Sequence, residues 1–386
     1  MALAAKKQAA RKKDSQKNPP YVATDLPGQV TLVLQGGGAL GAYQVGVYQA
    51  MHEAGIEPEW VIGTSIGAIN GAIIAGNPPE KRLQQLTRFW HLMQHQHANG
   101  FSLPWLPLGN IFSNLETITQ GIDGFFKPNP EAVWGVHVAL GVEHAAYYTT
   151  EPLQETLKEL VDFDYIKAKH LRLTLGAVHV GSGEMAYFDS RNCDIRVNHV
   201  MASGALPPAF PAVRVGSEPY WDGGIYSNTP IEAVFDDKPR RNSLIFAVNM
   251  WHPYGPEPET IMQVLGRQKD IQFSSRDKSH IRRQQQIHKM RHIIRELAKH
   301  IPEKQKNKPG LKELVSYGCP TIMHVVRLLA PRIEGEDHTK DIDFTPAGIE
   351  ARWRAGYTDM RNKLKEAPWE EKFDAMDGII VHEDEQ

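Results

Sequence analysis

Apolar positions first gather at Val30-Thr31-Leu32-Val33-Leu34, a short run rich in β-branched residues that stops at Gln35-Gly36-Gly37-Gly38. Such a run predicts a strand buried on both faces, as in a parallel sheet. From Ala39 to Ala54 the apolar residues Leu40, Tyr43, Val47, Tyr48 and Met51 recur near helical spacing, and Gly55 closes the segment as a C-cap glycine does. The plan then repeats. Trp60-Val61-Ile62 predicts a short strand, Gly63-Thr64-Ser65-Ile66-Gly67 a tight turn, and Ala68 to Ala75 a helix of small and apolar residues. Two consecutive βα units predict an α/β sheet with its active loops along one edge.

Residues 81 to 98 read as a helix, and 99 to 149 as an irregular insertion or lid, with Phe101, Trp105, Leu106, Phe112, Phe125, Phe126 and Trp134 spread among prolines and glycines. Core packing is the commoner role for such aromatics; an acyl-binding wall or membrane-facing lid is the functional one. Strand signals return at Leu171 to His179, Ala186 to Phe188 and Ser243 to Asn249, and again at Thr321 to Leu328 after a long polar interval. The pattern therefore divides the chain into a tail (1–28), a catalytic domain (29–250) and a partly helical C-terminal extension (251–386). Within the extension, Pro256 to His300 predicts a helix or helix pair bearing Arg276, Lys278, Arg282, Arg283, Lys289, Arg291 and Arg295. The basic run from Arg267 to Lys308 offers a face for an anionic lipid or another polyanion, against the plainer reading of a solvated helix.

Composition narrows the class. The chain has 386 residues, 41% hydrophobic and 23% charged, with a net charge of -2, so nothing global draws it to nucleic acid. Cys193 and Cys319 are the only cysteines, too far apart in sequence for a disulfide framework or a metal-ligand spacing, which points to a reducing compartment. The first twenty residues carry Lys6, Lys7, Arg11, Lys12 and Lys13 but no signal-peptide apolar stretch, and no run reaches the length of a membrane span. A cytoplasmic protein is expected, with a disordered basic tail and peripheral contact with an anionic membrane as its one membrane option. The sequence says nothing about oligomeric state.

Three motifs could carry chemistry. Gly63-Thr64-Ser65-Ile66-Gly67 is a G-x-S-x-G turn between strand and helix, which forces a serine onto a sharp elbow; a helix N-cap is the bland alternative. Gly36-Gly37-Gly38 offers consecutive backbone N–H groups at a helix start, suited to the oxyanion of an acyl-transfer intermediate. Together with Gly41 the same stretch satisfies G-x-G-x-x-G, but a dinucleotide site needs an acid closing the second strand, and Gly63-Thr64-Ser65 stands there instead. Asp222-Gly223-Gly224 follows a small-residue segment, Ala202 to Phe210; alone it would read as a turn initiator.

In this order the three motifs resemble those of patatin-like phospholipases, over about residues 29 to 250, with Ala202 to Phe210 and Asn228-Thr229-Pro230 adding to the likeness. The resemblance implies a three-layer α/β/α fold with a mainly parallel central sheet, and a catalytic dyad of Ser65 and Asp222. It carries Gly36, Gly37 and Gly38 over as the oxyanion hole, and Gly41, Gly63, Gly67, Gly223 and Gly224 as motif glycines. Many relatives have Arg or Lys where this chain has Leu40, so backbone donors must suffice here. The stretch Asp343-Phe344 to Arg352-Trp353 with Gly356-Tyr357 resembles an extension behind some bacterial patatin-like domains, with no chemistry implied.

His252 and His324 both follow Asp222, so chain order alone permits a Ser-His-Asp triad. A direct dyad is simpler, because Ser65 sits on only the second βα unit. The expected activity is serine acyl-ester hydrolysis of a lipid or fatty-acyl ester through an acyl-enzyme, with no cofactor and no metal. The same residues would serve an esterase, a thioesterase or a storage-polyester depolymerase. A catalytically silent scaffold that binds anionic partners through its basic extension is the non-enzymatic alternative.

Overall fold

The computed structural model describes residues 26–94, 121–135, 137–274, 277–333, 336–374 and 376–383. Phe101, Trp105, Leu106, Phe112, Arg276 and the basic tail lie outside them.

Strands β1 (Gln29–Leu34), β2 (Trp60–Thr64), β5 (Arg172–His179), β6 (Met185–Asp189), β7 (Val213–Val215), β8 (Glu218–Asp222), β9 (Ser243–Asn249), β10 (Met323–Leu329) and β11 (Ile379–His382) form one sheet. Its order is β11-β10-β9-β1-β2-β5-β8-β7, with β6 also on β5; a separate two-stranded piece joins β3 (Lys127–Pro128) to β4 (Tyr148–Thr149). The six strands from β11 to β5 run parallel, and β6, β8 and β7 add the antiparallel end. Strand order reverses at β1, which lies between β9 and β2, so the crevice of a doubly wound sheet opens at its C-terminal end. That is where the glycine loop begins.

Alternation along β1 sorts the core into two layers. Leu32 and Leu34 join Val61, Leu173, Phe246 and Leu328 on one face, whereas Val33 joins Trp60, Ile62, Ile245 and Val325 on the other. The first face is covered by helices α1 (Ala42–Glu53), α2 (Ile66–Ala75), α3 (Pro79–Leu92) and α4 (Glu151–Leu160). The second takes Val234 and Phe235 of a short helix and Ile281 of a long one. The result is the expected α/β/α sandwich with a mainly parallel sheet.

The sheet does not stop near residue 250. Helices α5 (Ile261–Ser274), α6 (Asp277–Lys299) and α7 (Pro309–Ser316) fill the polar interval; β10 then pairs with β9 in parallel from Met323↔Ser243 to Leu329↔Asn249. Helix α8 (Pro346–Glu366) returns across the molecule onto α1. The two touch backbone to backbone: a Cβ on Gly46 would stand 1.9 Å from the Trp353 carbonyl oxygen, and one on Gly356 2.0 Å from that of Tyr43. Hydrogen bonds from Trp353 Nε1 to Gln49 (2.7 Å) and from the Tyr43 hydroxyl to Asp359 (2.8 Å) fix the crossing. Among the described residues, no helix is long and apolar enough to cross a membrane.

Candidate active site

Strand register brings the nucleophile and acid motifs together. Thr64 pairs with Gly176 of β5, and Ala177, the next residue, pairs with Asp222 of β8. The opposite edge of β5 is taken by β6 from Thr174 to Val178, so β2 and β8 share one edge, and Ser65 and Asp222 stand where the C-terminal ends of those two strands meet. There the Ser65 hydroxyl faces the Asp222 carboxylate and favours its charged form. Asp222 is thus the last residue of a strand rather than part of a bare turn.

Ser65 occupies a φ of 56° and a ψ of -126°, outside the ordinary regions for a side-chain-bearing residue. The elbow is enforced from both sides. Its N–H donates to the carbonyl (3.1 Å) and to Oγ (3.2 Å) of Ser203, whose hydroxyl donates in turn to Gly176 O at 2.6 Å. Beneath it a Cβ on Gly67 would lie 2.3 Å from the Leu34 carbonyl oxygen, and that backbone has nowhere to move. Gly41, Gly63, Gly223 and Gly224 likewise face neighbours that would stand within 3 Å of a Cβ.

Asp222 is 1% exposed, and burial pushes its carboxyl up to about 7, while the Ser65 hydroxyl and the hydrogen bond from the Gly224 N–H (2.7 Å) restrain the rise. No charged partner is among the causes of that shift. A carboxyl that exchanges its proton near neutrality and faces a serine hydroxyl has the protonation equilibrium of a general base.

The glycine loop lies across from them. A Cβ on Gly36 would sit 3.0 Å from Ser65 Cβ, so the loop and the elbow are in contact. Of the three glycines expected to donate to an oxyanion, Gly36 already gives its N–H to the Asn228 carbonyl (3.1 Å), whereas the N–H groups of Gly37 and Gly38 have no partner among the described residues. The Gly36 carbonyl is held by Trp251 Nε1 (2.8 Å) and Asn228 Nδ2 (3.1 Å). Gly38 takes a φ of +56°, and a Cβ there would strike the Asp341 carbonyl oxygen at 2.2 Å, the same oxygen that accepts the Ala39 N–H (2.8 Å). Leu40 points into the core, 4% exposed, so no cation stands at that position.

These groups line a cavity of about 220 Å³ whose remaining wall is apolar. Phe125 and Phe126 of the predicted insertion reach it and are buried, whereas Trp134 is exposed. Phe210 packs tilted against both, with ring centroids 5.9 and 5.3 Å away, and Phe344 lies 6.1 Å from Phe125. Trp251, Phe273, Asp341 and Ile342 complete it from beyond residue 250. Sequence reasoning singled out neither Ser203 nor Asp341, nor Trp251 and Phe273 as site residues; Ser203 lies in the family-like segment Ala202 to Phe210, whereas the other three belong to no motif that separates them from ordinary packing. No histidine of the described residues lines the cavity. His324 is instead hydrogen-bonded to His382 at 3.0 Å, and His252 is lowered to about 4 by burial and by Arg332 and Lys340.

With the fold and this crevice described, sequence comparison makes the family definite. A family model described as "Patatin-like phospholipase" matches residues 32–235, more than half of the 386-residue chain, and a second, described as "Patatin phospholipase", matches 271–376. The chain belongs to the patatin-like phospholipase family. Relatives include patatin-like phospholipase domain-containing protein 6 of Mus musculus, 39% identical over 82 residues (21% of this chain and 6% of that one). Lysophospholipase nte1 of Aspergillus terreus is 61% identical over 46 residues, 12% of this chain and 3% of that one. The chain thus spans only a small fraction of these curated relatives' length. The crystal structure of VipD from Legionella pneumophila aligns over 93% of this chain and 72% of that one at 15% identity, with a TM-score of 0.40.

Proposed function

We propose that the protein is a serine acyl-ester hydrolase acting on lipid esters through Ser65 and Asp222. The observation that carries this reading is the buried Asp222 carboxyl, facing the hydroxyl of an elbow serine at the wall of an apolar cavity. Family membership favours a lipid as the acyl donor.

In this mechanism Asp222 accepts the Ser65 proton while Oγ bonds to the ester carbonyl carbon. The carbonyl π electrons move to oxygen, and the resulting oxyanion is met by the N–H groups of Gly37 and Gly38. Collapse breaks the bond to the leaving alcohol, which takes the proton from Asp222. A water then gives its proton to Asp222 and attacks the acyl-enzyme; the fatty acid departs, and the proton returns to Ser65.

Ser65→Ala and Asp222→Asn are each expected to lower kcat/KM for a p-nitrophenyl fatty ester by roughly 10³-fold or more. A fluorophosphonate probe should label the native protein and leave Ser65→Ala unlabelled. Hydrolysis retained by either variant overturns the dyad.

A further inference from the structure

A second cavity, of about 500 Å³, opens beside the catalytic one and is unlike it in chemistry. Its floor is a stripe of α6: Ser279, Arg282, Arg283 and Gln286 follow the spacing that puts residues on one face of a helix. Lys278 stands beside them, 5.0 Å above the Tyr254 ring and ion-paired to Glu383 at 3.5 Å. Arg282 and Arg283 are exposed and make no hydrogen bond or ion pair among the described residues. Two guanidinium groups that line one pocket without an acid partner, each a planar fork of donors, suit a phosphate anion.

The pocket shares two walls with the catalytic cavity. In the loop after β9, Trp251 faces the catalytic side while Pro253 and Tyr254 face the basic one. On α5, Phe273 faces the catalytic side while Ile271 and Ser274 face the basic one. The same helix leaves Ile261 81%, Met262 56%, Val264 49% and Leu265 42% exposed. A soluble phosphate ester would leave that apolar surface in water, whereas a bilayer would bury it.

We propose that this pocket binds the phosphate of a lipid headgroup through Arg282 and Arg283, docking the protein on an anionic membrane with α5 against the lipid. The choice of a lipid rests on the proposed lipid-ester activity; the phosphate site does not. The test therefore reads binding without turnover, on Ser65→Ala protein, so its outcome is independent of the dyad.

Sedimentation with phosphatidylcholine vesicles, with and without phosphatidylglycerol, should show binding that needs the anionic lipid and weakens as salt rises. Adding R282E and R283E should weaken that binding at least about tenfold. Adding K304E and K308E, two exposed lysines farther along the basic run, should leave it intact. Equal binding by the arginine variant overturns the site, and an equal loss in the lysine variant overturns a pocket in favour of diffuse charge. Thermal unfolding shows whether each variant is folded, which two exposed arginines without partners should not alter. Binding of inorganic phosphate by a protein that sediments with no vesicle overturns the lipid assignment.

Discussion

On one side of the catalytic cavity, Ser65, Asp222 and the glycine loop are fixed by backbone hydrogen bonds and by glycines with no room for a Cβ. On the other, Phe125, Phe126, Phe210 and Phe344 meet ring against ring, with no hydrogen bond directing them. The first side depends on direction, because a donor or a nucleophile displaced by about 1 Å loses much of its effect. The second depends on area and volume, which several side chains can supply. Positions on the two sides should therefore fail differently, one by losing the reaction and the other by changing which acyl chain is accepted.

Gly67→Ala gives the largest contrast. Its Cβ would press on the Leu34 backbone directly under the elbow, so kcat/KM should fall by about 100-fold or more, with a loss of about 1–3 kcal/mol in chemical denaturation. Near-native activity would mean that the elbow is not held as rigidly as its hydrogen bonds suggest.

Asp222→Asn separates the functional cost of this side from its structural one. Burial raises the Asp222 carboxyl from 3.8 to about 7, so the folded protein binds this proton more tightly than the unfolded chain does. The stability it contributes is full below about pH 4 and is lost as pH rises through about 7. The asparagine variant, which never ionises, should be more stable than the native protein by on the order of a few kcal/mol at pH 8, with the gain vanishing toward pH 4. Native kcat/KM should rise with pH to a plateau above about 7, as the base loses its proton. Equal stability at both pH values would show that Asp222 is not the desolvated group described here.

Phe210→Ala tests the apolar side and should have the smallest effect. The ratio of long-chain to short-chain ester kcat/KM should shift by roughly tenfold, in line with the worth of one or two methylenes in an apolar pocket. If this substitution stopped hydrolysis of all chain lengths as fully as Gly67→Ala, the two sides would not differ in kind.

The directional side is also the one that the sequence makes legible. Backbone geometry restricts residue choice to glycine and to particular polar groups, so Gly36-Gly37-Gly38, Gly63 to Gly67 and Asp222-Gly223-Gly224 stand out in a single chain. The strands β1, β2, β5 and β9 were visible for a similar reason, as apolar runs between turn residues. The short antiparallel β7 and β8 were not, because Pro219 and the exposed Arg214 and Glu218 break any alternation. The apolar wall was legible only where an aromatic lay in an already suspect insertion, as with Phe125 and Phe126. Trp251, Phe273 and Phe344 reach the cavity through tertiary packing of the chain after β9, and a ring that packs there looks in sequence like a ring that packs anywhere. Asp341 is harder still, since its contribution to the glycine loop is a main-chain carbonyl that any residue possesses.

The backbone at Ser65 bears on how this position would evolve. A φ of 56° is comfortable for glycine and uncomfortable for serine, so selection for folding alone would favour Ser65→Gly. A lineage that no longer needed the reaction would gain by that single exchange, and serine at this elbow records a demand that folding does not make.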